Sequence, residues 1–171
     1  PNDLYFFNAS GNEIDKIEFN PNLKLQVLNL EHNVLTSLNI DRLQSLNVIY
    51  LQDNPFSATT PLMIGKMPEL IVLEVPQIGH ISPNFTLKNF PKLRSFDAYH
   101  TIGLKVADPT GCPNLQRLSL DMTSVESVDL SKNPELEILN VGDSRIKTLD
   151  LRNNPKITQL YISHSSGTVN T

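Results

Sequence analysis

The stretch Leu136-Glu137-Ile138-Leu139-Asn140-Val141-Gly142-Asp143-Ser144-Arg145-Ile146-Lys147-Thr148-Leu149-Asp150-Leu151 decides the architecture. Its apolar residues stand at 136, 139 and 141, then at 146, then at 149 and 151. The same frame fits from Leu4, Leu25, Leu46, Leu70, Leu93, Leu115, Leu136 and Ile157, at spacings of 21, 21, 24, 23, 22, 21 and 21 residues. An X-Pro-X-apolar step precedes five of these starts, as in Asn133-Pro134-Glu135-Leu136 and Asn154-Pro155-Lys156-Ile157. A fixed period of this length marks a solenoid. Residues 1–171 read as a single domain of about eight coils.

Positions 4 and 6 of each coil alternate as in a short strand and point inward. They are Phe7/Ala9, Leu28/Leu30, Ile49/Leu51, Leu73/Val75, Phe96/Ala98, Leu118/Leu120, Leu139/Val141 and Leu160/Ile162. One coil cannot bury its apolar side alone, so stacked coils share a core and align their strands in one parallel sheet. Position 9 reads Asn12, Asn33, Asn54, Ile78, Thr101, Thr123, Ser144 and Ser165. A buried polar group there bonds backbone atoms of the turn. The three amides are expected to be buried, and Ile78, with nothing to offer, predicts an altered turn in the fourth coil.

These motifs resemble the leucine-rich-repeat superfamily, with L-x-x-L-x-L-x-x-N-x-L intact over Leu25–Leu35. The 21-residue form is similar to repeats of bacterial surface and secreted proteins, especially those of gut Bacteroidetes. The resemblance implies an α/β fold: a curved, right-handed coil with a concave parallel β-sheet and short helical, 3-10 or extended convex segments. Thr59-Thr60-Pro61-Leu62-Met63-Ile64 and Ser82-Pro83-Asn84-Phe85-Thr86-Leu87 carry a hydroxyl cap and an early proline, which predict short convex helices, the first ended near Gly65. Asp108-Pro109-Thr110-Gly111 is a turn signal. The resemblance also implies a surface or secreted setting and a non-catalytic binding role.

Composition narrows the function. The 25 Leu and 18 Asn make up a quarter of the chain, and tryptophan is absent. A net charge of −4 and a pI near 5.5 argue against nucleic-acid binding, which needs a basic field. No apolar run reaches the roughly 18 residues of a membrane span. A single cysteine, Cys112, excludes an internal disulfide. It takes the slot held by Asn133 and Asn154 in later coils and reads as a small structural residue. A chain starting at Pro1, with no cap at either end, reads as part of something longer.

Positions 5, 7 and 8 face out of the concave side. They hold six acids and no Lys or Arg, while the other 12 acids and all 14 bases lie elsewhere. The candidate ligand-binding residues are Glu31, His32, Tyr50, Asp53, Glu74, Asp97, Tyr99, His100 and Asp121. An acidic, tyrosine-bearing face suits a protein or peptide partner of basic character. A carbohydrate stacking on Tyr50, Tyr99 and Tyr161 is the alternative, and a spacer displaying another domain is a third reading. His32, His100 and His164 share position 8, and His32 with Asp53 and Glu31 has the donors of a metal site, yet the pattern fits a polar pair better. No nucleophile elbow or phosphate-binding glycine motif is present, so no catalytic residue, metal or cofactor is assigned. Two N-x-S/T sequons, at Asn8 and Asn84, read as chance.

Overall fold

A computed structural model describes residues 3–82, 85–101, 103–163 and 168–171. Three-residue strands recur along the chain: β1 (Phe6–Asn8), β2 (Val27–Asn29), β3 (Val48–Tyr50), β4 (Val72–Glu74), β5 (Ser95–Asp97), β6 (Arg117–Ser119), β7 (Ile138–Asn140), β8 (Thr148–Asp150), β9 (Gln159–Tyr161) and β10 (Thr168–Asn170). Strands β1 to β7 and then β9 form one eight-stranded sheet in chain order, every pair parallel. The register never slips: Phe7, Leu28, Ile49, Leu73, Phe96, Leu118, Leu139 and Leu160 lie opposite one another. A slip of one residue would turn every inward side chain to water, which is why the pattern fixes the pairing.

The six inward pairs from Leu28/Leu30 to Leu139/Val141 are buried, and the end pairs Phe7/Ala9 and Leu160/Ile162 are half-buried. Each fully buried Leu or Ile contributes about 1.5–3 kcal/mol of transfer free energy. Pairing runs beyond the strands. The position-6 amide donates to the position-5 carbonyl of the next coil (Leu30 N to Tyr50 O, 3.0 Å), and the position-8 amide to the position-7 carbonyl (His32 N to Gln52 O, 2.9 Å).

The turn after each strand has one recurring cause. Position 8 is left-handed throughout the described coils: Gly11 (φ 68°), His32 (52°), Asp53 (52°), Gln77 (54°), His100 (54°), Met122 (54°) and Asp143 (46°). The next residue bonds the turn. Asn33 Nδ2 donates to Leu30 O, Glu31 O and, across the coil, Ala9 O, while its Oδ1 accepts from Ile14 N at 3.0 Å. Asn54 serves Leu51, Gln52, Leu30 and Leu35 in the same way. Both are buried.

Asn12 departs from the expected burial. It lies on the outer side of the first coil, is exposed, and bonds only Ala9 O and Ser10 O of its own coil. The fourth coil corrects a second expectation. Gln77 keeps the common left-handed geometry beside Ile78, so the turn is not altered. The carbonyl of Val75, which an amide at 78 would bond, is instead taken by Thr101 Oγ1 of the fifth coil at 2.7 Å. Thr123 and Ser144 each bond a carbonyl of their own coil, Leu120 O and Val141 O. Ser165 lies outside the described residues.

The convex side corrects the helical expectation. No α-helix occurs among the described residues, only 3-10 turns at Leu87–Asn89 and Pro109–Gly111. Residues 59–64 are bent and extended. Leu62 N donates to His80 O, Ser82 N to Leu62 O, and Thr60 Oγ1 to Thr36 O at 2.8 Å. Backbone groups that a helix would keep to itself thus bond neighbouring coils. The second expected helix moves to Leu87–Asn89, where Thr86, not Ser82, accepts from Lys88 N; Pro83 and Asn84 lie outside the described residues. Asp108-Pro109-Thr110-Gly111 turns as its sequence says, with Asp108 accepting from Thr110 N. Strands β8 and β10 pair in parallel as a small second sheet, made by the return segments of the last two coils.

A second polar stack joins these return segments. Asn133 Nδ2 donates to Pro109 O and Cys112 O, and Asn154 Nδ2 to Leu130 O and Asn133 O. Cys112 continues the stack with its thiol donating to Leu87 O at 3.0 Å. It is fully buried, and burial pushes its pKa up to about 12, so it is held as the inert thiol.

Candidate functional site

The open face of the eight-stranded sheet carries the residues singled out from the sequence. Its rows follow from the ladder, because strands about 4.8 Å apart set equivalent positions side by side. Asn29, Tyr50, Glu74 and Asp97 are successive partners on β2 to β5. Tyr50, Glu74, Asp97 and Tyr99 are half-buried, and so are Glu31, Asp53 and Asp121, whereas His32 and His100 are exposed. Position 7 does not face outward uniformly: Pro76 and Gly142 are buried. A side chain at Gly142 would sit 2.7 Å from Asp121 Oδ1 and 2.9 Å from Ser163 Oγ, so the carboxylate of Asp121 occupies the space glycine leaves.

Several of the polar residues serve the backbone first. At position 5, Asn8, Asn29, Asp97 and Asn140 each accept from the amide two residues on, at 2.8 to 3.2 Å. At position 8 the left-handed backbone favours Gly, Asp, Asn and His. That preference accounts for His32, Asp53, His100 and Asp143 without any ligand. Glu31 and Glu74 have no such backbone role, and Asp121 is engaged by the backbone of Met122. Glu31 accepts from Asn29 Nδ2 at 3.0 Å.

Burial, and after it the crowding of like charge, raises several groups on this face. The Glu74 carboxyl is raised above the ordinary range by burial first, then by Asp97 and Glu31, against an opposing pull from Arg117. Asp121 is raised by burial, then by Asp143 and Asp97. Tyr50 is raised by burial, Glu74 and Glu31. These carboxylates therefore form one repelling set linked through Asp97, from Glu31 in the second coil to Asp143 in the seventh. The histidines do not converge: His32 Nδ1 pairs with Asp53 Oδ2 at 2.9 Å, and His100 packs beside the Tyr99 ring at 6.0 Å between centroids. Among the described residues no group of three or more His, Cys, Asp or Glu side chains is placed to hold a metal ion. His164 lies outside them.

A row that the reading by positions 5, 7 and 8 omits is position 3. It flanks the inward residue of each strand and shares the open face: Phe6, Val27, Val48, Val72, Ser95, Arg117, Ile138 and Gln159, partnered strand to strand. The three valines are half-buried and Phe6 is exposed. Arg117 puts one base on a face otherwise free of them. The period-2 rule applied one residue earlier finds this row. On the other side of the coils a groove of about 1010 Å³ is lined by, among others, His80, Phe85, Lys105, Glu126 and Arg145, a mixed-charge surface. No described helix is long and apolar enough to cross a membrane.

Residues 24–46 match the Leucine Rich Repeat family profile. No curated protein sequence matches the chain. Among solved structures, the chain is similar to the functional domain of InlJ from Listeria monocytogenes (19% identity, TM-score 0.60, covering 86% of this chain and 36% of that one). It is similar to the APL1 leucine-rich repeat domain (21%, TM-score 0.69, 96% and 50%). It is also similar to the Leptospira interrogans LRR protein LIC12759 (17%, TM-score 0.57, 88% and 46%). The chain thus spans between about a third and a half of the length of each structure. At these identities the likeness concerns architecture, and with the intact motif at Leu25–Leu35 and the in-register parallel ladder it gives one conclusion: this chain has the leucine-rich-repeat fold.

Proposed function

We propose that this chain is a non-catalytic module that binds a protein or peptide of basic character through the open, concave-side face of its sheet. The observation that carries the reading is the set Glu74, Asp97 and Asp121 in consecutive coils, the first two paired on β4 and β5 and the third just beyond β6, with Tyr50 and Tyr99 in the same coils or the next; Glu74 and Asp121 are raised by burial first and then by neighbouring acids, Asp97 among them in both cases. Like charges on adjacent strands cost stability, and a cationic partner relieves that cost on binding. Glu31, His32, Asp53 and His100 form the rim. The eight coils act as one domain, and the similarity to repeats of bacterial surface proteins supports an extracytoplasmic setting.

The test is the triple variant Glu74→Gln, Asp97→Asn, Asp121→Asn. Asn at 97 keeps the acceptor for Tyr99 N, so shape is preserved and charge removed. Affinity for a partner captured from a proteome falls at least about tenfold, equivalent to 1.4 kcal/mol. Wild-type affinity also weakens with salt, since exposed charges are screened over about 8 Å at physiological ionic strength. Undiminished affinity in the triple variant, with a large loss from Lys105 and Arg145 changes, would move the site to the opposite groove. Binding on a glycan array with no captured protein would favour the carbohydrate reading instead.

A further inference from the structure

The position-3 row opens with four apolar residues. Phe6, Val27, Val48 and Val72 stand side by side on β1 to β4, on the face of the sheet turned away from the core. A solvated strand face alternates apolar-in and polar-out, and here the outward row is apolar over four consecutive strands. Beyond Val72 the row changes to Ser95 and then Arg117. Two residues along each strand, on the same face, lies the polar row Asn8, Asn29, Tyr50 and Glu74, continued by Asp97. The face is therefore divided lengthwise into an apolar strip and a polar strip that becomes acidic at Glu74 and Asp97, both running across the strands.

From this division we infer that the strip over β1 to β5 is the seat of an amphipathic helix laid across the strands, its apolar stripe on Phe6, Val27, Val48 and Val72 and a Lys- or Arg-bearing flank over Glu74 and Asp97. The inference deepens the function proposed above and rests on it. Spacing favours a helix. Three strand steps cover about 14 Å, and a helix repeats its stripe every 5.4 Å, so residues i, i+3 or i+4, i+7 and i+11 meet successive strands with a mismatch of about 2 Å over the whole row. An extended segment repeats its same-face side chains every 6.6–6.8 Å and loses register by nearly a whole strand within two steps. Charge sets the orientation and the extent. Carboxylates lie on one flank only, and Arg117 on β6 repels a basic flank where the aliphatic row stops.

The test uses the full chain with four synthetic peptides. One is a 14-residue helix former with Leu at i, i+3, i+7 and i+11 and Lys on one flank. The second is its scramble, the third an alternating Val-Lys peptide of equal charge, the fourth octalysine. The helical peptide is expected to shift the methyl resonances of Val27, Val48 and Val72 and to bind at least tenfold more tightly than the scramble. In the variant V48T/V72T, which keeps β-branching, its affinity falls fivefold or more while octalysine binding is unchanged. In E74Q both weaken. Equal binding of helix and scramble, or octalysine binding with no response to the helical peptide, overturns the inference and leaves the basic-partner reading standing. Tightest binding by the Val-Lys peptide replaces the helix with a strand and also overturns it. Failure of every cationic peptide overturns the inference and, together with undiminished partner capture in the carboxylate triple variant, the proposed function as well.

Discussion

Position 8 shows how much one backbone angle decides. All seven described residues there have φ between 46° and 68°, a region that L side chains enter at about 1–2 kcal/mol unless they are Gly, or Asn and Asp with local bonding. Three of the four histidines fall at this position, and imidazole invites a chemical explanation that the backbone supplies more simply. Gln77 and Met122 have neither excuse. Replacing Gln77 by Gly is expected to stabilise by roughly 0.5–1 kcal/mol net of the greater freedom of an unfolded glycine. Gly11→Ala, with open space around it, should lose a similar amount through strain alone. Urea midpoints at constant slope measure both, and an unmoved midpoint for Gln77→Gly would remove the strain argument. Thr101→Val leaves the Val75 carbonyl without its buried donor and is expected to cost about 1–3 kcal/mol.

At the scale of elements, the strands were legible and the connections were not. A strand three residues long has little propensity of its own, but Leu118 or Leu139 in a 21-residue frame can be buried only one way. Leu118→Ala or Leu139→Ala is expected to cost about 2–5 kcal/mol in thermal or chemical unfolding. The convex segment Thr59–Ile64 has the local signature of a helix start, and inter-coil bonding overrides it, because Leu62 satisfies both its amide and its carbonyl on neighbouring residues of the fourth coil. Nothing in Thr148-Leu149-Asp150 or Thr168-Val169-Asn170 distinguishes a paired strand from a turn, so β8 and β10 were invisible. The valine row was visible in principle: attention to the hydrophobic frame hides the outward residue between two inward ones. The asparagine ladder is graded by place. Asn54→Ala removes bonds to four backbone groups and is expected to cost at least about 2 kcal/mol. Asn12→Ala, at an exposed site bonding only its own coil, should cost well under half of that.

Over the whole molecule the carboxylates act in opposite directions. Glu74 and Asp121 have raised folded pKa values, so the folded state binds more protons than the unfolded chain, and their contribution falls as pH rises from the ordinary carboxylate range through their folded values. Against the upward push of burial, Asp108 is lowered by its bonds to Lys88 and Thr110; Asp129 is lowered chiefly by bonds from Ser131, and Asp150 is lowered to about 2 by bonds from Arg152. Their contribution is present above the ordinary carboxylate range and is lost as pH falls toward their folded values. The two sets partly cancel in the wild type. The triple carboxylate variant removes the first set, so it is expected to be as stable as wild type or up to about 1 kcal/mol more stable at pH 7, with the difference vanishing as pH falls below the ordinary carboxylate range and shrinking only in part in high salt, which screens the repulsion but not the burial. Melting scans at those pH values measure this, and a variant less stable than wild type at pH 7 would show the carboxylates to be structural.

The sealed thiol of Cys112 turns the protein into its own clock. A thiol-specific reagent cannot reach a group fully enclosed and bonded to Leu87 O, and in the open chain the same group regains an ordinary, reactive pKa. The labelling rate under native conditions is therefore the opening equilibrium of the middle coils multiplied by the rate of an exposed cysteine. One unmodified residue reports, without any tag, whether the solenoid unzips from its ends or opens as a whole: labelling that tracks global unfolding across a denaturant series indicates the second, and labelling with a shallower slope indicates the first.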